Sequence, residues 1–275
     1  MPADQPQHEM SFLEHLEALR WHLVRSFASI IVFSIIAFAS KDFVFGTLIL
    51  GPSEPDFWFY QTACEIGKKL VDSTAFCMDE LPFIIQNRKV TGQFSMHITV
   101  SLVLGFIMAF PYFFWEMWRF ISPALYDNEK KGSKGAVFFV TLLFTLGILF
   151  GYYIVTPISI NFLSNYQVYY TIENYFDLSS YVSTITMLVL ACGLMFQLPM
   201  IIFFLSRSGL ITPSLLRNYR RHAIVVILVV GAIITPPDPI SQVLIALPIM
   251  LLYEISISVS GSVLKKRMKQ QNQKP

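Results

Sequence analysis

Apolar and polar positions in this chain fall into long blocks rather than short amphipathic beats. Six apolar stretches, roughly residues 23–38, 94–115, 136–155, 181–205, 223–235 and 240–259, are separated by polar segments. A helix that crosses the hydrocarbon core needs about 20 predominantly apolar residues at about 1.5 Å of rise each. The blocks therefore predict an all-α polytopic membrane protein with six transmembrane helices. The fifth and sixth are read as short. The fifth reaches about 20 Å against a hydrocarbon core of about 30 Å. The sixth is interrupted by Pro248 and carries Glu254. A short pair joined by the proline turn at 235–239 must thin the bilayer locally or line a wet recess.

The polar blocks add detail at both ends. In residues 11–22, Phe12, Leu13, Leu16 and Leu19 recur at helical spacing, with Glu14, Glu17 and Arg20 on the other face. Ser11 and Glu14 have the spacing of a capping box. The segment predicts an amphipathic helix lying on the membrane surface before the first span. The chain divides into a cytoplasmic amino-terminal segment 1–22, a six-span membrane domain 23–260 and a basic tail 261–275. An outer segment, 39–93, is long for a loop without structure of its own and predicts a small packed cap.

Charge sets the orientation. Lysine and arginine stay on the cytoplasmic side of an inserted protein. Fifteen of the twenty fall next to the amino-terminal flank of the first span, in the second and fourth gaps, or in the carboxy-terminal tail. The remaining five (Lys41, Lys68, Lys69, Arg88 and Lys89) share the 39–93 segment with seven Asp and Glu, and residues 156–180 contain no Lys or Arg. Both termini are thus expected in the cytoplasm. No cleavable signal peptide is expected, because the first dozen residues are polar and the apolar run begins late.

Composition agrees with the block reading: 54% of residues are hydrophobic and only 14% charged, where soluble domains carry roughly a quarter charged. The net charge of +2 offers no basic field for nucleic acid. Cys64 and Cys77 share the outer segment, where an oxidising compartment permits a disulfide between them. Cys192 reads as a small apolar packer in the fourth span.

Ionisable and amide groups inside apolar blocks are the functional candidates. Glu116, at the inner end of the second span, reads first as an interfacial residue paired with Arg119. Gln197 precedes Pro199 by two residues and either satisfies the carbonyl that proline frees or has a functional role. Glu254 has no sequence-local cation nearer than Lys265 and is expected to face the wet recess. Asp238 is placed to cap the sixth helix. The five histidines are scattered, and the sequence has no H-E-x-x-H, G-x-S-x-G or Walker pattern. An intramembrane enzyme is disfavoured. A secondary transporter would call for inverted repeats and paired midplane charges, neither of which stands out.

Three motifs then carry a resemblance. Residues 15–20, HLEALR, resemble the amino-terminal H-L-x-E-L-R of the TatC family, the polytopic core subunits of the twin-arginine protein translocase. Residues 118–129, WRFISPALYDNE, resemble that family's first cytoplasmic loop, and residues 235–242, TPPDPISQ, with Leu247-Pro248 and Tyr253-Glu254, resemble its last turn and span. The likeness covers nearly the whole chain, from about Phe12 to Val259. It implies a concave, glove-like bundle in the bacterial cytoplasmic (inner) membrane, with no cofactor and no catalysis. It also implies a receptor for signal peptides carrying paired arginines on folded cargo, TatA- and TatB-like single-span partners, self-association, and transport driven by the proton motive force.

The family's arginine-pair site is formed by one glutamate in the amino-terminal helix and one in the first cytoplasmic loop. The second maps to Glu129. A carboxylate grips a guanidinium in a bidentate way that an ammonium does not reproduce. The first falls at Ala18 here, so Glu14 or Glu17 is the expected substitute. Glu17 is turned about 100° around the helix, and Glu14 lies one turn earlier on the same face. Arg20 belongs to the same motif, and Phe120, Pro123, Leu125 and Tyr126 shape the loop presenting Glu129. Pro52, Phe94, Asp238 and Gln242 match family positions linked to activity, and Glu254 is offered as a partner contact. At Gln197, where the family often has glutamate, hydrogen bonding survives and a fixed charge does not.

Overall fold

The computed structural model describes residues 12–70, 83–121, 135–169, 171–172, 174–234 and 239–271. The first helix, α1 (Phe12–Ala39), is a single run of 28 residues. The expected boundary between a surface helix and the first span, at residues 22–23, is not a break. Leucines at helical spacing lead directly into the apolar block, and no glycine or proline interrupts them. Phe27, Ile31, Ile35 and Phe38 are exposed along one side of α1, while Ser26, Ser34 and Ala37 are buried along another. The Ser26 and Ser34 hydroxyls donate to His22 O and Ile30 O, so the buried seam leaves neither group unsatisfied.

That seam packs against α3 (Gly92–Ile121), after a cap that holds α2 (Trp58–Leu70). Gly105 is the point of closest approach. A Cβ there would lie 2.7 Å from the Ser34 nitrogen and 2.8 Å from its Cα. The two helices are therefore as near as their backbones permit, in the manner of small-residue contacts between membrane helices. Pro111 lies inside α3 without ending it.

The third run joins α4 (Ala136–Phe150), a π-helical turn at Gly151–Val155 and α5 (Thr156–Asn165). The expected outer segment from residue 156 thus begins as a continuation of the span. Pro157 has no N–H to donate and its ring crowds the preceding turn. The widened turn accommodates it, and the Thr156 hydroxyl takes the Gly151 carbonyl at 2.8 Å. Gly147 and Gly151 let this run pack tightly on the next. A Cβ at either would meet Cys192 or its neighbours at 2.6–3.0 Å.

That next run is α6 (Leu178–Met195), a turn at Phe196 and Gln197, then α7 (Leu198–Ser208). Asp177 caps α6 through the Ser179 N–H. Gly209, at φ +84°, ends α7 in the left-handed region that suits glycine. Helix α8 (Pro213–Asn218) leads to α9 (Arg220–Ile234) and α10 (Pro239–Gln271).

Among the described residues, five runs are long and apolar enough to cross a membrane: Glu17–Ala39, Gly92–Ile121, Ala136–Asn165, Leu178–Ser208 and Gln242–Lys265. Helix α9, the expected fifth span, has 15 residues and reaches about 22 Å. The expectation of a short sixth helix is corrected. Helix α10 runs unbroken for 33 residues through Pro248 and past residue 260, where a separate tail was expected. A proline inside a membrane helix is tolerated when neighbours take up the freed carbonyl or the helix bends locally.

The segment after α1 forms a packed cap. A short helix at Lys41–Phe43, a π-helical stretch at Val44–Ile49 and a 3-10 turn at Gly51–Ser53 precede α2. Strand β1 (Ile84–Gln86) pairs in parallel with β2 (Tyr175–Asp177), setting Ile84 opposite Tyr175. The cap is fastened to the bundle by tyrosine hydroxyls. Tyr60 donates toward Pro52 O (3.1 Å) and Pro157 O (3.2 Å), and Tyr181 donates to Ile49 O. Burial pushes the Tyr60 phenol far above its usual range, so it stays a donor. Cys64 in α2 is disulfide-bonded, Cys192 is a buried free thiol, and Cys77 lies outside the described residues.

Candidate functional site

Helices α1 and α3 run antiparallel, and a histidine fixes the pair at each end. At the cap end, His97 Nε2 lies 3.0 Å from Phe38 O, with the two rings stacked at 3.9 Å. At the other end, His22 Nδ1 lies 2.5 Å from a Glu116 carboxylate oxygen. The Glu116 side chain is fully buried, and its second oxygen accepts from Tyr112 at 3.1 Å and Arg119 at 3.5 Å. A carboxylate removed from water is costly unless its lone pairs are filled. Here three donors from two helices fill them.

This cluster governs where the predicted site residues sit. Glu17 and Arg20 are exposed on α1, five and two positions before His22. Phe120 follows Glu116 by about one turn, and its ring lies 6.1 Å from that of His22. Arg119 stands 4.9 Å over the Trp115 ring, which turns part of its guanidinium toward the helix surface. The structure thus gathers Glu17, Arg20 and Phe120 at one end of the α1–α3 pair, where α3 ends eight positions before Glu129. Glu129, Pro123, Leu125, Tyr126 and Ser11 lie outside the described residues, as does the side chain of Glu14.

Other predicted residues lie elsewhere. Pro52 is buried in the cap under Tyr60, and Phe94 is exposed at the cap end of α3. Gln197 occupies the turn between α6 and α7, where its amide donates to Val140 O on α4 at 3.1 Å. The amide therefore ties two spans together and does not serve the carbonyl freed by Pro199. Gln242 on α10 donates to Leu228 O on α9 at 3.1 Å. Glu254 accepts from Arg220 at 2.6 Å, with both side chains about half exposed. Its cation comes from the start of α9 and not from the chain near it. Asp238 lies outside the described residues.

Sequence reasoning missed His22, His97 and Tyr112. His22 and Glu116 are 94 positions apart, so no local spacing announces them. The available signal was Glu116 itself, an acid at the end of an apolar block whose full burial demands more than one exposed arginine.

Comparison with known proteins bears on this arrangement. The sequence model of the family described as Sec-independent protein translocase protein (TatC) matches residues 14–248. The chain belongs to the TatC family. A curated TatC of Blattabacterium (strain BPLAN, from Periplaneta americana) is 39% identical over 95% of this chain and 98% of its own length. The TatC of Aquifex aeolicus is 35% identical over 94% and 98%. A crystal structure described as the twin arginine translocase receptor TatC matches with a TM-score of 0.70 at 34% identity, covering 91% of this chain and all of that one. This TatC-family chain is accordingly a component of the Sec-independent protein translocase, a role in protein translocation rather than catalysis. The five membrane-length helices among its described residues agree with a multi-pass membrane protein.

Proposed function

We propose that this TatC-family chain is the core receptor of a twin-arginine translocase, taking signal peptides of folded cargo at the cytoplasmic face. The observation that carries the proposal is the His22–Glu116 contact, because it holds the amino-terminal part of α1 against the end of α3. Glu17 is thereby kept near the end of α3, from which the chain runs on to Glu129, and in this reading two arginines of a peptide engage Glu129 and either Glu14 or Glu17 as bidentate partners. By helical spacing from Ala18, Glu14 is the favoured of the two. Arg20 lies beside them, and Phe120, Pro123, Leu125 and Tyr126 shape the loop.

In this reading α9 is the short fifth span that brings the total to six, both termini are cytoplasmic, and the bundle is concave. The thinned side near α9 and α10 receives TatA- and TatB-like single-span helices, with Glu254, Gln242 and Asp238 as contacts. Pro52 and Phe94 act at the cap end. The energy comes from the proton motive force, and copies of the chain self-associate. The test is site-specific crosslinking of a twin-arginine peptide and its twin-lysine counterpart to membranes containing this chain or Glu129→Gln. Strong labelling by the arginine peptide alone, lost in Glu129→Gln, is expected. Equal labelling by both peptides, or labelling indifferent to Glu129, would end the proposal.

A further inference from the structure

Glu17 presents an exposed carboxylate on α1, and Trp21, one turn on, an exposed indole. Positions four apart on a helix differ by about 40° around the axis and about 6 Å along it, so the two side chains are surface neighbours. His22 faces α3, which turns Trp21, about 100° around from it, to the flank of the pair. Among the described residues, no cation pairs with Glu17, although Arg20 is only three positions away. Nor does any stack on Trp21. Arg25, one turn beyond Trp21, instead exerts its charge on Tyr112 of α3.

The neighbouring helix shows what a carboxylate and an indole hold together. Arg119 lies 3.5 Å from Glu116 and 4.9 Å over the Trp115 ring. One guanidinium thus offers its N–H edge to a carboxylate and its flat face to an indole. A planar guanidinium does both at once, whereas the compact ammonium of lysine has no face to stack. Glu17 and Trp21 supply the same two groups at the same end of the α1–α3 pair, with no guanidinium of the chain between them.

The position strengthens such a contact. Counted back from Ala39, the twenty residues that cross a hydrocarbon core of about 30 Å end at Arg20. Trp21 therefore stands at the membrane boundary, with Glu17 about 6 Å to the polar side of it. A cation over an indole gains more when partly removed from water.

We infer that Trp21 is a specificity-determining residue of the peptide site: one guanidinium of the arginine pair stacks on its indole while Glu17 takes the edge of the same group. The inference rests on the peptide site proposed above and deepens it, because it chooses between the two carboxylates. Spacing from Ala18 favours Glu14, but Glu14 is about 10.5 Å along the axis from Trp21, too far to share one guanidinium with it. The indole partner turns the choice to Glu17.

An indole at this boundary also anchors a helix in the bilayer, so the experiment separates the two roles. The full chain, carrying 5-fluorotryptophan and held in lipid nanodiscs, is followed by fluorine NMR as a twin-arginine peptide or its twin-lysine counterpart is added. The chain has four tryptophans, and the Trp21 resonance is the one missing in Trp21→Phe. The arginine peptide is expected to shift that resonance, the lysine peptide to leave it in place, and Glu17→Gln to suppress the shift. Affinity for the arginine peptide is expected to fall roughly two- to five-fold in Trp21→Leu and less in Trp21→Phe, which keeps an aromatic face. Trp58→Leu, at the cap end, leaves it unchanged. Arginine-selective, Glu129-dependent binding with a silent Trp21 resonance and full affinity in Trp21→Leu overturns the inference and leaves the peptide site standing. Equal loss of both peptides in Trp21→Leu, the mark of a membrane anchor alone, overturns it too. A parent chain that binds both peptides equally removes the peptide site and the inference together.

Discussion

Glu116 receives donors from His22, Tyr112 and Arg119 inside the helical pair that presents the candidate site. Removing one partner leaves a buried group unsatisfied, at a cost of about 1–3 kcal/mol. Glu116→Ala strands His22, and His22→Ala strands one carboxylate oxygen. Both are expected to lower the denaturation midpoint and to weaken twin-arginine peptide labelling together. Glu17→Ala, at an exposed position, should leave the midpoint unchanged. A Glu116→Ala protein with full stability and full labelling would show that the cluster positions nothing. Asp177 offers a pH-dependent case at the entry to α6. The Ser179 hydroxyl and backbone N–H hold its carboxyl below the usual carboxylate range. Because the folded value is depressed, the stabilisation is complete above about pH 4, the unfolded value, and is lost as pH falls through the folded one. Asp177→Ala is expected to reduce thermal stability at neutral pH, with the difference from the parent narrowing in acid. A difference that stays constant with pH would rule out the ionised cap.

At the scale of elements, the candidate site depends on two helices meeting without a gap. Gly105 sits against the Ser34 backbone, so even one added methyl forces α1 away from α3. Over-packing of this kind costs about 1–3 kcal/mol. Gly105→Val should therefore loosen the pair and reduce peptide labelling although it lies about eleven residues from Glu116, some 16 Å along the helix. Gly261, with open space at its Cβ, is the control, and Gly261→Ala should behave as the parent. Equal behaviour of the two variants would argue against the close seam. Element boundaries show how much of this the sequence displayed. The five long runs were legible because each is a continuous apolar block. The continuity of α1 and α10 was not, since a change from amphipathic to apolar pattern reads as a joint, and Pro248 reads as a stop. Neighbouring helices, which the local pattern omits, decide otherwise.

At the scale of the molecule, the proposed orientation puts both ends of the described chain on the cytoplasmic face and the cap on the other. Single cysteines at Glu17 and Lys265, in a chain otherwise lacking reactive thiols, should resist a membrane-impermeant maleimide in intact cells and react after permeabilisation. One at Asn87, in the cap, should react in both. Labelling of Glu17→Cys from outside would invert the topology and with it the proposed peptide site.

Block lengths, the placement of lysine and arginine, and three short motifs already determined a multi-span membrane protein of the TatC family, because a bilayer reads hydrophobic length and charge along one dimension. Tertiary structure alone decided that His22 meets Glu116, that His97 meets Phe38, that Arg220 and not Lys265 pairs with Glu254, and that Gln197 serves Val140. Those contacts join residues dozens of positions apart, and each depends on the register of one helix against another. Register is set by where backbones approach most closely, at Gly105, Gly147 and Gly151, and nothing in the local spacing of the chain expresses it.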